Sequence, residues 1–561
     1  MTGDRGYWTR VGSRRLSRRR TLVAAGGGVG AAAFLAACGG DKSNESTPST
    51  GGAAPSPAGA QGGNEQPRPG GIISQPMATD PPSLDIHQVT TYTGVWPING
   101  AFNQLVQFNP EKPGDTQQDI IPDLAERWEQ PDATTLVFSL KKGVKFHDGS
   151  EFGTEDVKTQ LDWIKKPPQG KTSPRAGTQA TVESIEVADP STVRIKFSRP
   201  TPSYLMNVAS HYFAIGQKKD IVDNGEVSPK LIGTGPFKLK SYQRSNVLEL
   251  EKNPAYHVPG RPYLDGVKSF ILPDLNTRLT NFLAGQYQLI YGEIRPDDQK
   301  RMREELGNKV ETPSVNSYTR DYVFMNARRK PYDDIRVRQA ISLALDRDAA
   351  IQVVWQGAAQ RGAYMAPKGA WALPDGDLRK YEGYDKPNIE KAKQLLQQAG
   401  VQTPLEASAT TRTDFKDMAE FIKDQLSKIG IIVKLTLADT ATAQPVLQRG
   451  DFDIGPWTVS INIDDPDAVF SEVSTSNAVR NWSQVKDPQI DALFEKQSQI
   501  LDQNERKKVV QDLERQALSQ YQVACLYFYN LNFGRYKTVN NFVEHESLYT
   551  NRRFENVWLK S

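Results

Sequence analysis

The period of the apolar positions changes twice between residues 405 and 437. LEASAT reads as a strand, the following stretch sets Phe415, Met418, Phe421, Ile422 and Leu426 at helical spacing, and after Gly430 the run IIVKLTL is β-branched and strand-like. Strand, helix, glycine stop and strand form a crossover unit, which predicts a parallel strand pair. Upstream, residues 333–357 predict a helix with Asp333 or Asp334 near the N-cap, Val337, Ile341, Ala344 and Leu345 on one face, and Gly357 as terminator. Residues 388–399 repeat that grammar with Ala392, Leu395 and Leu396 before Gly400. Two further helices are predicted near 488–501 and 504–521, followed by a buried-looking strand, ACLYFY. Residues 135–140 and 192–197 are short β-rich runs bounded by turn residues. Strands interleaved with helices predict a mixed α/β chain, and no repeat of roughly 20–50 residues points to a solenoid or propeller.

The N-terminal stretch has a different grammar. Residues 11–38 run from an arginine-rich segment through a short, glycine-rich apolar run to small residues and Cys38, the order of an export signal. The run is too short and weakly apolar for a permanent membrane span, and no later stretch approaches roughly 18 uninterrupted apolar residues. Ser17-Arg18-Arg19-Arg20-Thr21-Leu22 resembles a twin-arginine motif, with Thr21 in place of the usual aromatic residue and Val23 in place of the usual lysine. Leu35-Ala36-Ala37-Cys38 resembles a lipoprotein box, in which Cys38 is acylated. The GxGxxA string from Gly28 to Ala33 lies inside this signal, without the strand and helix that a dinucleotide turn requires. Residues 39–71 are Gly, Ser, Pro, Ala and Gln with almost no large apolar side chain, a tether with a reach of roughly 30 Å.

A chain of 561 residues with 38% hydrophobic and 24% charged residues predicts two or three lobes, and two cysteines exclude a disulfide framework or a structural zinc site. The net charge of +3 is misleading, because seven arginines stand against Asp4 alone in residues 1–37 while the remainder carries 62 basic and 65 acidic side chains. A body with that balance has no electrostatic footprint for nucleic acid. A P-loop, a GxSxG elbow and an HExxH pair are all absent. The five histidines, His87, His147, His211, His257 and His545, are scattered and read as structural, and Cys525 reads as an inert buried thiol. Asp464, Asp465 and Asp467 leave two readings open, paired carboxylates of a glycosidase or a turn fixed by Pro466.

Residues 121–157 carry a longer signature. Leu124-Ala125-Glu126-Arg127-Trp128, a strand, and then the string from Leu140 to Gly149 (LKKGVKFHDG) resemble the extracellular solute-binding proteins of family 5, the oligopeptide, dipeptide and nickel class that serves ABC importers. The resemblance continues through Gly233-Thr234-Gly235-Pro236-Phe237, Asn253-Pro254-Ala255-Tyr256, Pro262-Tyr263-Leu264-Asp265, Arg336-Val337-Arg338-Gln339-Ala340 with Asp346-Arg347, Gly450-Asp451-Phe452-Asp453 and Asp465-Pro466. These motifs read as structural. The resemblance implies a two-lobed periplasmic-binding-protein-like fold with an extra inserted domain: lobe 1 over residues 71–106, 226–316 and 531–561, the insertion over 107–225, and lobe 2 over 317–530, with crossing strands as the hinge.

It also implies a non-enzymatic function: a lipid-anchored extracytoplasmic monomer that captures a peptide or other small polar ligand and delivers it to ABC permease subunits, without cofactor or metal. The rival readings are a secreted carbohydrate-active hydrolase and a chaperone or sensor on the same fold. Peptide-binding members have a Trp-x-x-Asp segment before an acidic-Pro turn, whose carboxylate pairs with the peptide amine. Here, counting from Trp457 puts Ser460 at that place, and counting back from Asp465-Pro466 puts Asn462 there. Neither is charged, so dependence on a free α-amine is expected to be weak, with Asn462 and Asp464 near the ligand's polar end. Trp457 and Trp482 are candidate flat surfaces for the ligand, with a core role equally open, and Tyr92 is a further candidate contact.

Overall fold

The strand Ile72–Met77 pairs in parallel with Gly266–Ile271, from Ile72 opposite Gly266 to Met77 opposite Ile271. Parallel neighbours need a long connection, and this one contains a whole further sheet. The computed structural model describes residues 66–561 apart from 115, 228–229, 293, 551–552 and 561, so the expected export signal and Cys38 lie outside the described residues. Val247–Lys252 and Phe237–Gln243 complete the first sheet with antiparallel pairing. The sheet within the connection is antiparallel, ordered Ala125–Asp132, Thr135–Leu140, Thr192–Phe197 and Val182–Asp189. The two strands expected at 135–140 and 192–197 are direct partners there, Phe138 lying opposite Val193.

The apolar residues divide into two large cores, which define two lobes. One collects Ile73, Phe102, Phe138, Val193 and Leu250 with C-terminal residues such as Phe533 and Val557, and the other runs from Tyr318 to Phe528. The second lobe carries a sheet ordered Ala359–Gln360, Val523–Tyr529, Thr319–Met325 and Ile454–Ser460. Beside it, Leu405–Arg412 and Ile431–Ala438 are parallel over eight paired residues, joined by the helix Lys416–Ser427, as the crossover pattern predicts. The predicted helices near the C-terminus are Pro488–Gln497 and Gln503–Ser519.

One expected helix is two. Residues 333–357 form Ile335–Ala344 and Arg347–Trp355, separated by an extended Leu345, with Asp346 capping the second helix by accepting from Ala349 N at 2.9 Å. The break turns the Arg347 guanidinium inward, where it donates to the carbonyls of Ser342, Leu345, Gly383 and Cys525. A straight helix satisfies its own carbonyls and would leave that cation buried without them.

The family-like motifs hold the chain together. Both ring nitrogens of His147 lie 3.1 Å from carbonyls, those of Leu231 and Gly235. A Cβ on Gly233 would stand 2.1 Å from the Ala101 carbonyl oxygen and one on Gly235 2.4 Å from Ala101 C, so only glycine permits this backbone contact. Cys525 is buried and desolvation pushes its thiol up to about 12, which keeps it protonated and unreactive. No helix among the described residues is long and apolar enough to cross a membrane.

Candidate functional site

The chain crosses between lobes along paired extended segments. Ser314 and Val315 lie opposite Asn532 and Leu531, and Ser317 Oγ donates to the Tyr529 carbonyl at 2.5 Å. Immediately beyond, Thr319 pairs with Ser460, their hydroxyls 3.0 Å apart. The start of one central strand and the end of its neighbour therefore share the edge of the sheet nearest the crossing. From that edge the loop after Ser460 reaches the other lobe: Ile461 belongs to the second core and Ile463 to the first. The Asn462 carbonyl accepts from Ser547 Oγ at 2.9 Å, and Tyr318 Oη donates to Glu546 Oε2 at 3.0 Å.

Asp464 is the electrostatic centre of this face. It is 9% exposed, its backbone carbonyl accepts from Trp371 Nε1 at 2.9 Å, and a Cβ on Gly369 would come within 2.9 Å of its Oδ2. Burial, followed by repulsion from Asp465 and Glu546, pushes its carboxyl up to about 7, against a backbone hydrogen bond from Ala370 and the pull of Arg320. Asp465 is differently placed. Both its oxygens accept from Arg506 at 2.9 Å, and Oδ1 also caps the helix Pro466–Val473 through Asp467 N. A carboxylate held this way is structural, which removes the paired-carboxylate hydrolase reading. Asp467 joins the lobes, accepting from Ser203 Oγ at 2.6 Å. A small cavity of about 20 Å³ is lined by Thr116, Gln117 and Met206 on one side and Trp371, Asp464 and Arg506 on the other.

Ser460, Asn462 and Asp464 thus lie along one interlobe loop. Trp457 and Trp482 stand together but are 5% and 4% exposed, packed edge to face with centroids 5.6 Å apart, with Phe415 against the first ring and Phe324 against the second. Their rings lie in the second core. Tyr92 is half-buried on the short helix Tyr92–Val95 of the other lobe, its ring 4.7 Å from that of Trp96. Among the described residues no group of three His, Cys, Asp or Glu side chains is placed to hold a metal.

Arg320, Glu546, Tyr318 and Trp371 were not singled out from the sequence. Arg320 left a signal: in TRDYVFM, strand alternation puts it on the same face as Tyr322 and Phe324, so an arginine was pointing into an apolar layer. Glu546 and Trp371 left none, because they meet the loop only through the tertiary fold.

With this geometry in place, comparisons with known proteins are informative. The profile described as bacterial extracellular solute-binding proteins, family 5 Middle, matches residues 119–481. The dipeptide-binding protein of Escherichia coli K12 is 30% identical over 364 residues, which span 60% of this chain and 65% of that protein. Di/tripeptide-binding protein 1 of Pseudomonas aeruginosa is 27% identical over 494 residues, 82% of this chain and 90% of that one. Among solved structures, the ABC transporter-associated periplasmic binding protein of Helicobacter pylori, in complex with the peptide STSA, superposes with a TM-score of 0.78 at 25% identity, covering 88% of this chain and 99% of that one.

Proposed function

Because the chain belongs to the bacterial extracellular solute-binding proteins of family 5, we propose that it captures a peptide or similar polar oligomer between its lobes and delivers it to an ABC importer. Members of the family bind solutes and do not transform them, so the chain is a binding protein and not an enzyme. The observation that carries capture between the lobes is the loop after Ser460, a segment of one lobe whose Ile463 packs in the other lobe's core and whose Asp464 feels the charge of Glu546. A ligand that touches both lobes favours the state in which they meet, and that differential affinity drives closure.

In this reading Ser460, Asn462 and Asp464 read the ligand's polar end, Trp457 and Trp482 back the loop, and Tyr92 contributes from the opposite lobe. Lobe 1 comprises 71–106, 226–316 and 531–561 with the insertion 107–225, lobe 2 comprises 317–530, and the crossing segments are the hinge. The division of apolar residues between two cores supports the separation of lobe 2 from lobe 1 with its insertion, whose residues share one core. Cys38 is the acylated residue, and the monomer is held at the extracytoplasmic face of the membrane. An extracytoplasmic chaperone or sensor remains the rival use of the fold, set apart by binding that needs no importer.

The test is titration calorimetry with tripeptide pools, free and N-acetylated, alongside small-angle scattering. Saturable binding, a smaller radius of gyration and little loss on acetylation are expected, and ligand at 100 times its dissociation constant should add about 2.7 kcal/mol to stability. A folded protein that binds no pool refutes peptide capture. Tight binding only to free amines, unchanged in Asp464→Asn, would place the anchor elsewhere.

A further inference from the structure

The loop that covers Asp464, through Gly369, Ala370 and Trp371, also borders a second cavity. Residues 364–373 are pinned at both ends by Glu514, 1% exposed, whose carboxylate accepts from the backbone N–H of Tyr364 and Met365 at 2.8 Å and of Leu373 at 3.1 Å. Within the loop, Gly369 N donates to the Ala366 carbonyl at 3.0 Å, and Gln511 Nε2 donates to the Ala372 carbonyl at 3.1 Å. Ala370 and Trp371 line the small cavity at Asp464, whereas Pro367, Gly369, Ala372 and Leu373 line a different one of about 700 Å³. The two cavities share no lining residue, and every residue lining the larger one falls between Ile351 and Gln511, in the lobe built on the second core.

The larger cavity has the size of a small-ligand pocket, roughly 300–1,000 Å³, and two kinds of wall. Ile351, Ala359, Leu373 and Leu378 supply a buried apolar surface. Arg361, Lys368, Arg379 and Lys507 bring four cations to the lining, against Asp375 as its one carboxylate, and Arg379 takes Asp375 at 2.7 Å. Among the described residues Lys368 and Lys507 join no ion pair. Arg361, its side chain 11% exposed, stands 3.5 Å from both Asp348 and Asp385, farther than the roughly 2.7–2.9 Å of a formed charge-assisted bond. Cations gathered around an apolar hollow repel one another, and an anion relieves that repulsion. Because Glu514 and Gln511 already fix the loop, little ordering is lost when the hollow is filled.

We propose that this cavity is a second binding site, separate from the space between the lobes, for a small organic anion with an apolar body, an aryl- or alkylcarboxylate. The apolar wall holds the body, and Lys368, Lys507 and Arg361 face the acid group. Such a ligand needs no amine and touches one lobe alone, so its binding does not require closure.

The test uses phenylacetate, 4-phenylbutyrate and octanoate beside their primary amides, titrated by calorimetry into the full chain. The acids should bind about 5- to 30-fold more tightly than the amides, the effect of one or two partly exposed charge pairs, and the radius of gyration should stay constant. Hydrogen exchange locates the site without any variant: 4-phenylbutyrate should slow exchange in residues 359–379 and 505–512 and leave 455–465 and 544–550 unchanged. The double variant Lys368→Glu/Lys507→Glu alters one exposed and one half-buried side chain and should lose the preference for acids. Where that variant fails to fold, the exchange pattern and the comparison of acid with amide still decide. Protection centred on 455–465, equal binding of acids and amides, or acid binding unchanged in the double variant overturns the proposal. So does the failure of every acid to bind at about 10 mM. None of these results bears on peptide capture between the lobes.

Discussion

Asp464 is a carboxylic acid held where ionisation is resisted. Its ordinary value of 3.8 rises to about 7 in the fold, so between those values the native state binds the proton and the unfolded chain does not. Stability from this residue is therefore greatest at low pH and falls as pH rises through about 7, by at most about 4 kcal/mol. Asp321, buried within the central strand Thr319–Met325 and pushed up to about 6 by desolvation, acts in the same direction. Asp464→Asn keeps the shape and removes the charge. Urea unfolding at pH 5 and pH 8 should show a variant more stable than the parent at pH 8 and with a pH dependence changed by the loss of this one group. A variant less stable at pH 8, with the parental slope, would mean that Asp464 ionises without penalty.

Between elements, a buried ion pair joins Arg506 on the helix Gln503–Ser519 to Asp465 at the start of Pro466–Val473. Both side chains are under 5% exposed, at 4% and 2%, so removing one partner strands the other in low dielectric. Arg506→Ala should cost about 3–5 kcal/mol in urea unfolding. Lys158→Ala removes the pair with Asp162 on a helix surface, where the side chains are 39% and 48% exposed, and should cost under about 1 kcal/mol. Equal losses would show that burial does not govern these pairs. The same contrast governs what was legible in the chain. Asn388 caps its helix by accepting from Lys391 N, and Asp334 caps another by accepting from Arg336 N, contacts made within a few residues and so visible as sequence spacing. The break at Leu345 was not visible, because the carbonyls of Gly383 and Cys525 that receive Arg347 come from distant segments.

For the molecule as a whole, the proposed attachment to a membrane rests on Cys38, which lies outside the described residues. Cys38→Ser should release the protein from cells into the medium, measured by immunoblot of membrane and supernatant fractions, whereas a variant as membrane-bound as the parent would refute acylation as the anchor. The sequence by itself determined the mixed α/β class, the parallel crossover between 405 and 437, the local helix caps and the family resemblance. Each is written in hydrophobic period or in contiguous motifs, since local hydrogen bonds and chain stiffness act over a few residues. Only the tertiary structure decided that Asp465 and Asp467, and not Asp464, meet Arg506, that Trp457 and Trp482 turn edge to face inside a core, and that Arg320 Nη2 is left without a hydrogen-bond partner. Those outcomes depend on burial and on charges brought together from remote segments, and a buried charge takes its energy from whichever partner the fold supplies, a relation that no local pattern encodes.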